Sequence, residues 1–395
     1  MRWSGWISVV VWAWAALCPG PARATPRSDI QALVDQVSTD SIQATVGRLV
    51  DFGTRFIGTD SNAAAARWLD GRLADLGYRE VRLDTFEARV DRTVRLVGSD
   101  PAMPVRFFVD GAEQANVVAV KPGVLFPRRQ IVLGAHYDSV ALDRMPDDQV
   151  LAPGADDNGS GTAAVLEVAR ILQKVDLDAT VVVVLFGAEE LGLNGSRAYA
   201  QQARDRGDEI VLMITLDSIG TRSVFHPNGF AIDTIGPYLS LGERVAQAAE
   251  DYTDVRARTP EGGPVRITNR GCGCTDHQSF IDAGYPGIGV FLDFGASEAH
   301  HNTSIDTLGA VDFTMVRSVA GVALAAVAET AGFPGRTPDF DGDGTVAFGD
   351  YLQFSLAFGK WADEGDAARF DLDRDGRVRF SDFVLFAQSF GRTMD

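Results

Sequence analysis

Five short segments, far apart in the chain, carry side chains of the types that bind metals, most of them where an apolar run ends. These side chains are His136, Asp157, the adjacent pair Glu189 and Glu190, Asp217 and His301. Imidazole and carboxylate without thiolate suit zinc or another first-row divalent ion. A spare glutamate beside a ligand indicates hydrolysis, because it can take a proton from water. Their joint occurrence in this order predicts a hydrolytic metal site.

Taken singly, several of these segments have simpler explanations. His136 and Asp138 form an H-x-D pair in which the carboxylate can orient the imidazole, but a buried structural histidine would look the same. Asp157 lies in a glycine-flanked turn before a helix, where capping is an equally good explanation. Glu189 and Glu190 are harder to explain in this way. Two adjacent carboxylates after an apolar strand repel each other unless a cation lies between them or one is protonated.

Strand-like and helix-like patterns alternate between residues 28 and 331. Apolar strands are predicted at 81–86, 116–120, 130–137, 180–186, 210–217 and 287–292, and helices at 28–50, 63–76, 162–174, 196–206, 239–252 and 311–331. Continuous apolar strands are buried on both faces, which predicts a mostly parallel or mixed sheet covered by helices. Ligands of such sheets gather at the carboxyl ends of the strands. His136, Glu189 and Asp217 all fall there.

Segments between about Leu49 and Leu308 resemble the dinuclear zinc aminopeptidases, a metallopeptidase family that includes secreted bacterial leucyl aminopeptidases and the related glutaminyl cyclases. The matching segments are GTRFIGT, GAHYDS, PGADDNGSG, FGAEELGLNGSRAY, LDSIG, CTDHQSF and HNTSIDT. The resemblance implies a mixed, mostly parallel eight-stranded sheet between helices. It also implies two zinc ions, with His136 and Asp217 on one, Glu190 and His301 on the other, Asp157 bridging them, Glu189 as general base and Asp138 orienting His136.

The chain departs from this family at the last histidine, which usually stands four residues before an aspartate. Here that position is Asn302, whereas His301 and His300 stand five and six residues before Asp306. A one-residue insertion would let His301 bind metal, and the spacing favours it over His300. The nearby Cys272 and Cys274 leave three possibilities open: a local disulfide, two free thiols, or zinc ligands.

Two other functions remain compatible with the same motifs. Glutaminyl cyclisation or carboxypeptidase action could occur on this scaffold, although DDNGSG and EELG together favour two metals and hydrolysis. A non-catalytic adhesion or tethering protein is the alternative outside enzymes, and the intact set of ligands argues against it. No motif indicates which peptide side chain is preferred.

The C-terminal segment contains two copies of D-x-D-x-D-G-x-V-x-x-x-D, at 339–359 and 371–391. This spacing is typical of calcium loops, in which glycine permits a sharp turn and oxygen ligands converge. The predicted ligands are Asp339, Asp341, Asp343, the Thr345 carbonyl and Asp350 in the first loop, and Asp371, Asp373, Asp375, the Arg377 carbonyl and Asp382 in the second. The repeat resembles a dockerin, which implies a small all-α domain with up to two Ca²⁺ and a cohesin-like protein partner.

Composition and charge complete the prediction. Residues 1–24 are typical of a signal peptide, followed by a peptidase domain at 25–332, a linker at 333–338 and the dockerin-like domain at 339–395. The formal net charge is −18, and loss of Arg2 and Arg23 with the signal would make it about −20. Such acidity argues against a nucleic-acid partner. We therefore expect a secreted, periplasmic or extracellular monomer that acts on peptides and has no membrane span after cleavage.

Overall fold

The computed structural model describes most of the chain, with gaps. The described residues are 26–94, 105–144, 151–222, 226–258, 263–268, 273–292, 300–332, 338–362, 364–372 and 376–393. The predicted signal peptide, Cys272, Asp373, Asp375 and most of the predicted linker lie outside these ranges.

Ten α-helices and nine strands occur within the described ranges. The helices are α1 Ser28–Val34, α2 Thr39–Val50, α3 Asp60–Asp75, α4 Gly161–Leu172, α5 Asn194–Arg206, α6 Leu239–Tyr252, α7 His277–Asp282, α8 Phe313–Ala331, α9 Phe348–Ala357 and α10 Phe380–Ser389. The strands are β1 Glu80–Val94, β2 Val105–Lys121, β3 Phe126–His136, β4 Ala179–Phe186, β5 Glu209–Asp217, β6 Gly229–Ile235, β7 Arg256–Ala257, β8 Arg266–Thr268 and β9 Gly287–Leu292.

The strands form one mixed sheet in the order β1-β2-β4-β3-β5-β9-β6-β7, and β8 also pairs with β6. Its centre, β4-β3-β5-β9, is parallel. The pairs β1–β2, β2–β4 and β9–β6 are antiparallel. The expected mixed, mostly parallel sheet is therefore present. It has nine strands rather than the eight that the resemblance implies, and two of them, β7 and β8, are pairings of only two and three residues that no apolar pattern marks.

Alternating side chains of the central strands build separate cores on the two faces of the sheet. On β4, Val181, Val183 and Leu185 pack into the larger core with α1, α2, α4, α6 and α8. Val182, Val184 and Phe186 pack on the opposite face with Tyr199 of α5 and Phe280 of α7. Burial on both faces explains why this strand is uniformly apolar. It also fixes the strand ends, which carry the polar residues.

Helix α8 is long and apolar enough to cross a membrane by length and composition, but 72% of its most apolar window is buried inside the protein. It packs against α4, α6, α1 and α2. These contacts make α8 a core helix of this fold, with its apolar residues directed at other helices rather than at lipid.

The C-terminal segment has a small apolar cluster of its own. Phe340, Phe354, Phe370 and Phe386 are buried in it, and the rings of Phe354 and Phe386 stack at 5.6 Å between centroids. Helices α9 and α10 contribute one phenylalanine each, as expected from the sequence repeat. Whether this segment is a dockerin stays a prediction.

Candidate metal centre

The carboxyl ends of three neighbouring parallel strands place polar side chains at one edge of the sheet. His136 is the last residue of β3, and Asp217 is the last residue of β5. Glu189 follows the end of β4 by three residues, after a turn in which Ala188 has a φ of +55°. Since β4, β3 and β5 are adjacent, the three side chains must converge.

The imidazole of His136 is the centre of the first cluster. Its Nε2 lies 3.3 Å from Oδ1 of Asp157, 3.3 Å from Oδ1 of Asp217 and 3.9 Å from Oε2 of Glu189. His136, Asp157 and Asp217 each offer a ligand atom within 4.8 Å of the other two. One imidazole with two carboxylates is a donor set that suits a divalent zinc ion.

Asp157 reaches this edge from a loop that leads into α4. The carboxylate of Asp306 accepts the backbone N–H of both Asp156 and Asp157, at 2.9 to 3.1 Å. The Asn158 side chain donates to the carbonyl of Leu216 at 2.8 Å, which joins the loop to β5. The loop is thus anchored on both sides, and the carboxylate of Asp157 points at the strand ends.

Asp138 contacts both His136, a predicted metal ligand, and the turn of Glu189, the predicted general base. Its Oδ1 lies 3.5 Å from Nδ1 of His136, opposite the ring nitrogen that faces the cluster. The same carboxylate accepts the backbone N–H of Glu189 at 3.0 Å and of Glu190 at 3.2 Å. The backbone carbonyl of Asp138 lies 3.3 Å from the same Nδ1, so Asp138 holds the ring of His136 through both its carbonyl and its carboxylate. The carboxylate also holds the turn that carries the two glutamates.

The turn at 300–306 brings a second histidine to the site. Nδ1 of His301 lies 3.0 Å from Oδ2 of Asp157. His300 instead lies 3.6 Å from the Asp156 carboxylate and 3.1 Å from the hydroxyl of Thr221. The structure thus places His301, not His300, beside the shared carboxylate. This arrangement agrees with the spacing argument, while the ligand role itself stays a prediction.

The cluster around His136 gathers several buried acidic side chains, whose negative charges repel one another. Burial raises the pKa of Glu189 well above its usual range, with the neighbouring Asp276 and Asp217 adding to the effect and His136 opposing it. Burial disfavours the charged form of His136, but Glu189 and Asp217 outweigh it and raise the pKa of the imidazole. A bound dication would relieve this concentration of buried negative charge. The residues present therefore fit a metal.

Glu190 and two buried aspartates show the same effect around the cluster. Burial, reinforced by Asp157, raises the pKa of Glu190 well above its usual range. Burial also raises the pKa of Asp276 to about 7 and that of Asp306 to about 7. The concentration of buried carboxyl groups with a raised pKa thus extends beyond the residues that contact His136.

Arg55 supports the site in a way that sequence reasoning did not identify, although it lies in the GTRFIGT segment. Its side chain is fully buried and donates to the carbonyls of Tyr137, Leu49, Pro153 and Gly154 at 2.6 to 3.1 Å. The carbonyls of Tyr137, Pro153 and Gly154 belong to the segments that carry His136 and Asp157, and that of Leu49 belongs to α2. A polar residue between two glycine-flanked turns was the available signal, but its four partners cannot be deduced from spacing.

In the first acidic C-terminal loop, three of the predicted calcium ligands lie close together. Asp339, Asp341 and Asp350 each offer an oxygen within 4.8 Å of the other two. Asp350 is buried and accepts backbone N–H groups of Asp341 at 3.0 Å and Ala347 at 2.8 Å.

The other predicted calcium ligands within the described residues make local contacts. Asp343 accepts the backbone N–H of Thr345 at 2.8 Å, and Asp382 accepts that of Arg379 at 2.8 Å. Asp371 accepts the N–H of Gly376, and Arg377 stacks on Trp361. These contacts neither require nor exclude calcium, so the ten ligands stay predictions.

Near the metal cluster, Cys274 is disulfide-bonded. This result removes the alternatives of free thiols and zinc ligands for that residue.

Residues 116–327 match the model of peptidase family M28, which is more than half of the chain. A protein described as "Probable zinc metalloprotease" from Pyrenophora teres f. teres is 28% identical over 360 residues, covering 81% of this chain and 72% of that protein. "Leucine aminopeptidase 1" of Neurospora crassa is 27% identical over 324 residues, covering 79% and 73%.

Solved structures share the fold. An aminopeptidase of Legionella pneumophila, LapA, matches with a TM-score of 0.59 and 22% identity over 77% of this chain and 74% of that one. An aminopeptidase from Aneurinibacillus sp. strain AM-1 matches with a TM-score of 0.59 and 20% identity, over 78% of this chain and 97% of that one. At these identities, the likeness shows a common architecture.

Proposed function

The chain belongs to peptidase family M28, and on that premise we propose that it is a secreted dinuclear zinc aminopeptidase that removes N-terminal residues from peptides. Membership confirms the sequence-based prediction of a zinc metallopeptidase. The observation that carries the finer proposal is the buried cluster of His136, Asp157 and Asp217, with Glu189 at 3.9 Å from the imidazole.

The proposed ligand sets divide the site in two. His136 and Asp217 would hold the first zinc, Glu190 and His301 would hold the second, and Asp157 would be shared between them. The contacts of Asp157 support a bridging role, because its Oδ1 faces His136 at 3.3 Å and its Oδ2 faces His301 at 3.0 Å. A carboxylate with one oxygen toward each histidine is suited to span two cations.

A pair of zinc ions at these positions would supply the Lewis acidity that activates a water and polarises the scissile carbonyl. Glu189 takes the proton of that water and delivers it to the leaving amine. Asp138 keeps the backbone of Glu189 and the ring of His136 in place during the proton transfer.

Exopeptidase action is supported by the asymmetry of the site. The His136 side chain is 1% exposed, whereas the His301 side chain is 49% exposed, so the second position is the more open one. Carboxylates at that position can hold the charged amino terminus of a peptide. A panel of aminoacyl substrates measures which peptide side chain the pocket prefers.

Metal analysis combined with a panel of aminoacyl nitroanilides tests the proposal. The full chain should contain two zinc ions and hydrolyse at least one free-amine substrate but not its N-acetylated form. Hydrolysis of N-blocked substrates carrying a free carboxyl terminus would favour a carboxypeptidase. One zinc at full activity toward N-terminal glutamine would favour a glutaminyl cyclase. Absence of turnover with both metals bound would favour a tethering protein.

His301→Ala and His300→Ala distinguish the two histidines. We expect His301→Ala to lower the zinc content to about one ion, because its ring lies against Asp157. His300→Ala should leave two ions, because its ring lies against Asp156 and Thr221. The reverse ranking would mean that His300, rather than His301, binds the second zinc.

For the ends of the chain, we propose export by the signal peptide at 1–24 and calcium-dependent attachment through residues 339–395. The support is the signal-like sequence and the acidic cluster of Asp339, Asp341 and Asp350. The proposed partner is a cohesin-like protein, and the enzyme itself is proposed to be a monomer. Amino-terminal sequencing of protein recovered from outside the producing cell should begin near Thr25.

A further inference from the structure

The side chain of Asn302 lies among the residues assigned to the second metal. One terminal atom of its amide lies 2.9 and 3.0 Å from the two carboxylate oxygens of Glu190 and 3.2 Å from Oδ2 of Asp157. The other terminal atom lies 3.2 Å from Nε2 of His301. Asn302 also stands four residues before Asp306, where the family pattern places its last histidine.

These separations are those of atoms that share one metal. Two ligands at about 2.0–2.2 Å from a zinc ion lie roughly 3 to 3.5 Å apart. An amide oxygen facing Glu190 and Asp157 would be repelled by their oxygens unless a cation lies among them or one of the carboxyls is protonated. An amide NH₂ in the same place would donate hydrogen bonds to them. The two orientations differ by a half-turn of the amide.

The backbone holds the amide at this place in either orientation. Asn302 has a φ of +55°, in the left-handed region that asparagine tolerates better than most residues. Its carbonyl accepts the N–H of Leu142 at 2.7 Å, and the hydroxyl of Thr303 donates to the carbonyl of His300 at 2.6 Å. The turn is therefore tied to its neighbours, and these contacts fix the backbone of Asn302 beside Glu190 and Asp157.

We propose that Asn302 is a ligand of the second metal through its side-chain oxygen, and that the amide turns over to hydrogen-bond Glu190 and Asp157 when that metal leaves. This inference rests on the dinuclear site of the proposed function. A neutral amide oxygen is a poorer zinc ligand than imidazole and suits harder ions such as Mn²⁺. The second position should therefore release zinc first and accept Mn²⁺ more readily than the first.

Two substitutions of Asn302 separate a metal ligand from a hydrogen-bond donor. In the full chain, Asn302→Ala should weaken binding of the second zinc at least tenfold and leave the first unchanged. Asn302→Asp keeps an oxygen in place, so it should bind the second zinc at least as tightly as the unchanged protein. Its metal-free form should unfold at a lower temperature, because a third carboxylate then faces Glu190 and Asp157. Ile305→Ala, in the same turn but 61% exposed, is the matched control.

Zinc content after dialysis, the two dissociation constants from competition with a chelating dye, and the melting temperature of the metal-free protein are the readouts. Unchanged second-zinc affinity in Asn302→Ala would overturn the inference and leave the dinuclear proposal standing. Equal weakening in Asn302→Asp would also overturn it, because the nitrogen would then be the atom that the site needs. If the unchanged protein binds only one zinc at saturation, the dinuclear proposal fails and this inference fails with it.

Discussion

The carboxylate of Asp138 accepts the backbone N–H of Glu189 at 3.0 Å while it faces Nδ1 of His136 at 3.5 Å. One side chain therefore positions both the proposed base and the ring of a proposed metal ligand. Such a carboxylate raises the basicity of the imidazole and fixes its tautomer. Asp138 therefore couples the position of the proposed proton acceptor, Glu189, to that of the proposed metal ligand, His136.

Substitution of Asp138 should consequently affect two properties at once. Asp138→Asn keeps the size of the side chain but removes the charge that orients His136. We expect zinc affinity to fall about 10- to 100-fold, and kcat to fall even when zinc is saturating, because the turn at Glu189 loosens. Zinc titration and steady-state kinetics measure the two effects separately. Asp75→Asn, whose side chain is 74% exposed, should change neither.

Glu189→Gln should leave the fold and the metal content intact. The amide has the shape of the carboxylate but cannot accept the proton, so kcat should fall by about 10²- to 10⁴-fold. Glu190→Gln is the matched control, because its side chain is proposed to bind metal and its loss should appear first as lower zinc content. Activity of Glu189→Gln within tenfold of the unchanged protein would contradict its role as the base.

Arg55 should be important for stability. Its buried guanidinium donates to four carbonyls, and burial lowers its pKa to about 10 despite the nearby carboxylates. Arg55→Met leaves those carbonyls without their donor and removes a buried positive charge near Asp138 and Asp157. We expect a loss of about 3 kcal/mol or more in the free energy of unfolding. Denaturant titration measures it, and Arg72→Met, at a side chain 42% exposed, should stay within about 0.5 kcal/mol.

The stability of the metal-free protein should fall as the pH rises from about 4 to about 7. Asp276 and Asp306 have an ordinary pKa of 3.8 and a folded-state pKa of about 7. The folded protein therefore holds protons that the unfolded chain has already released in this window, and folding is penalised as pH increases. The raised pKa of His136 acts in the same direction at higher pH, because its folded-state charge persists above the ordinary pKa of 6.5 and its stabilising contribution is lost as the pH rises further.

Melting temperatures at several pH values, with chelator and with zinc, test this expectation. Zinc binds the deprotonated ligands, so its stabilising effect should grow over the same pH range. A metal-free protein that becomes more stable between pH 5 and pH 7 would contradict it.

Much of the fold could be predicted from the sequence, because local patterns determine it. Helix α6 begins and ends at the predicted residues, Leu239 and Tyr252. The uniform apolar run of β4 indicated a strand buried on both faces, as observed. The order of the strands was not predictable, since β2 lies between β1 and β4 through antiparallel pairings whose register depends on long-range contacts.

The candidate metal site, like the fold, could be predicted from the sequence only in part. Convergence of His136 and Asp217 followed from their positions at the ends of parallel strands. The position of Arg55 did not, because its four acceptors are backbone carbonyls that carry no sequence signal. Asn302 was visible as a departure from a histidine pattern, but only its distances to Glu190 and Asp157 indicate what the amide does there.

The C-terminal segment gives the last prediction. Its clustered aspartates repel each other, and a segment of this size has little apolar surface to bury, so calcium binding should contribute to its folding. In the full chain, calcium should protect residues 339–391 from limited proteolysis, and the double variant Asp339→Ala, Asp371→Ala should lose that protection. A chain ending at Gly332 should keep full peptidase activity, since the proposed zinc ligands all precede that residue. Proteolysis that ignores calcium, or a truncation that abolishes hydrolysis, would show that this segment is not an independent calcium-dependent tether.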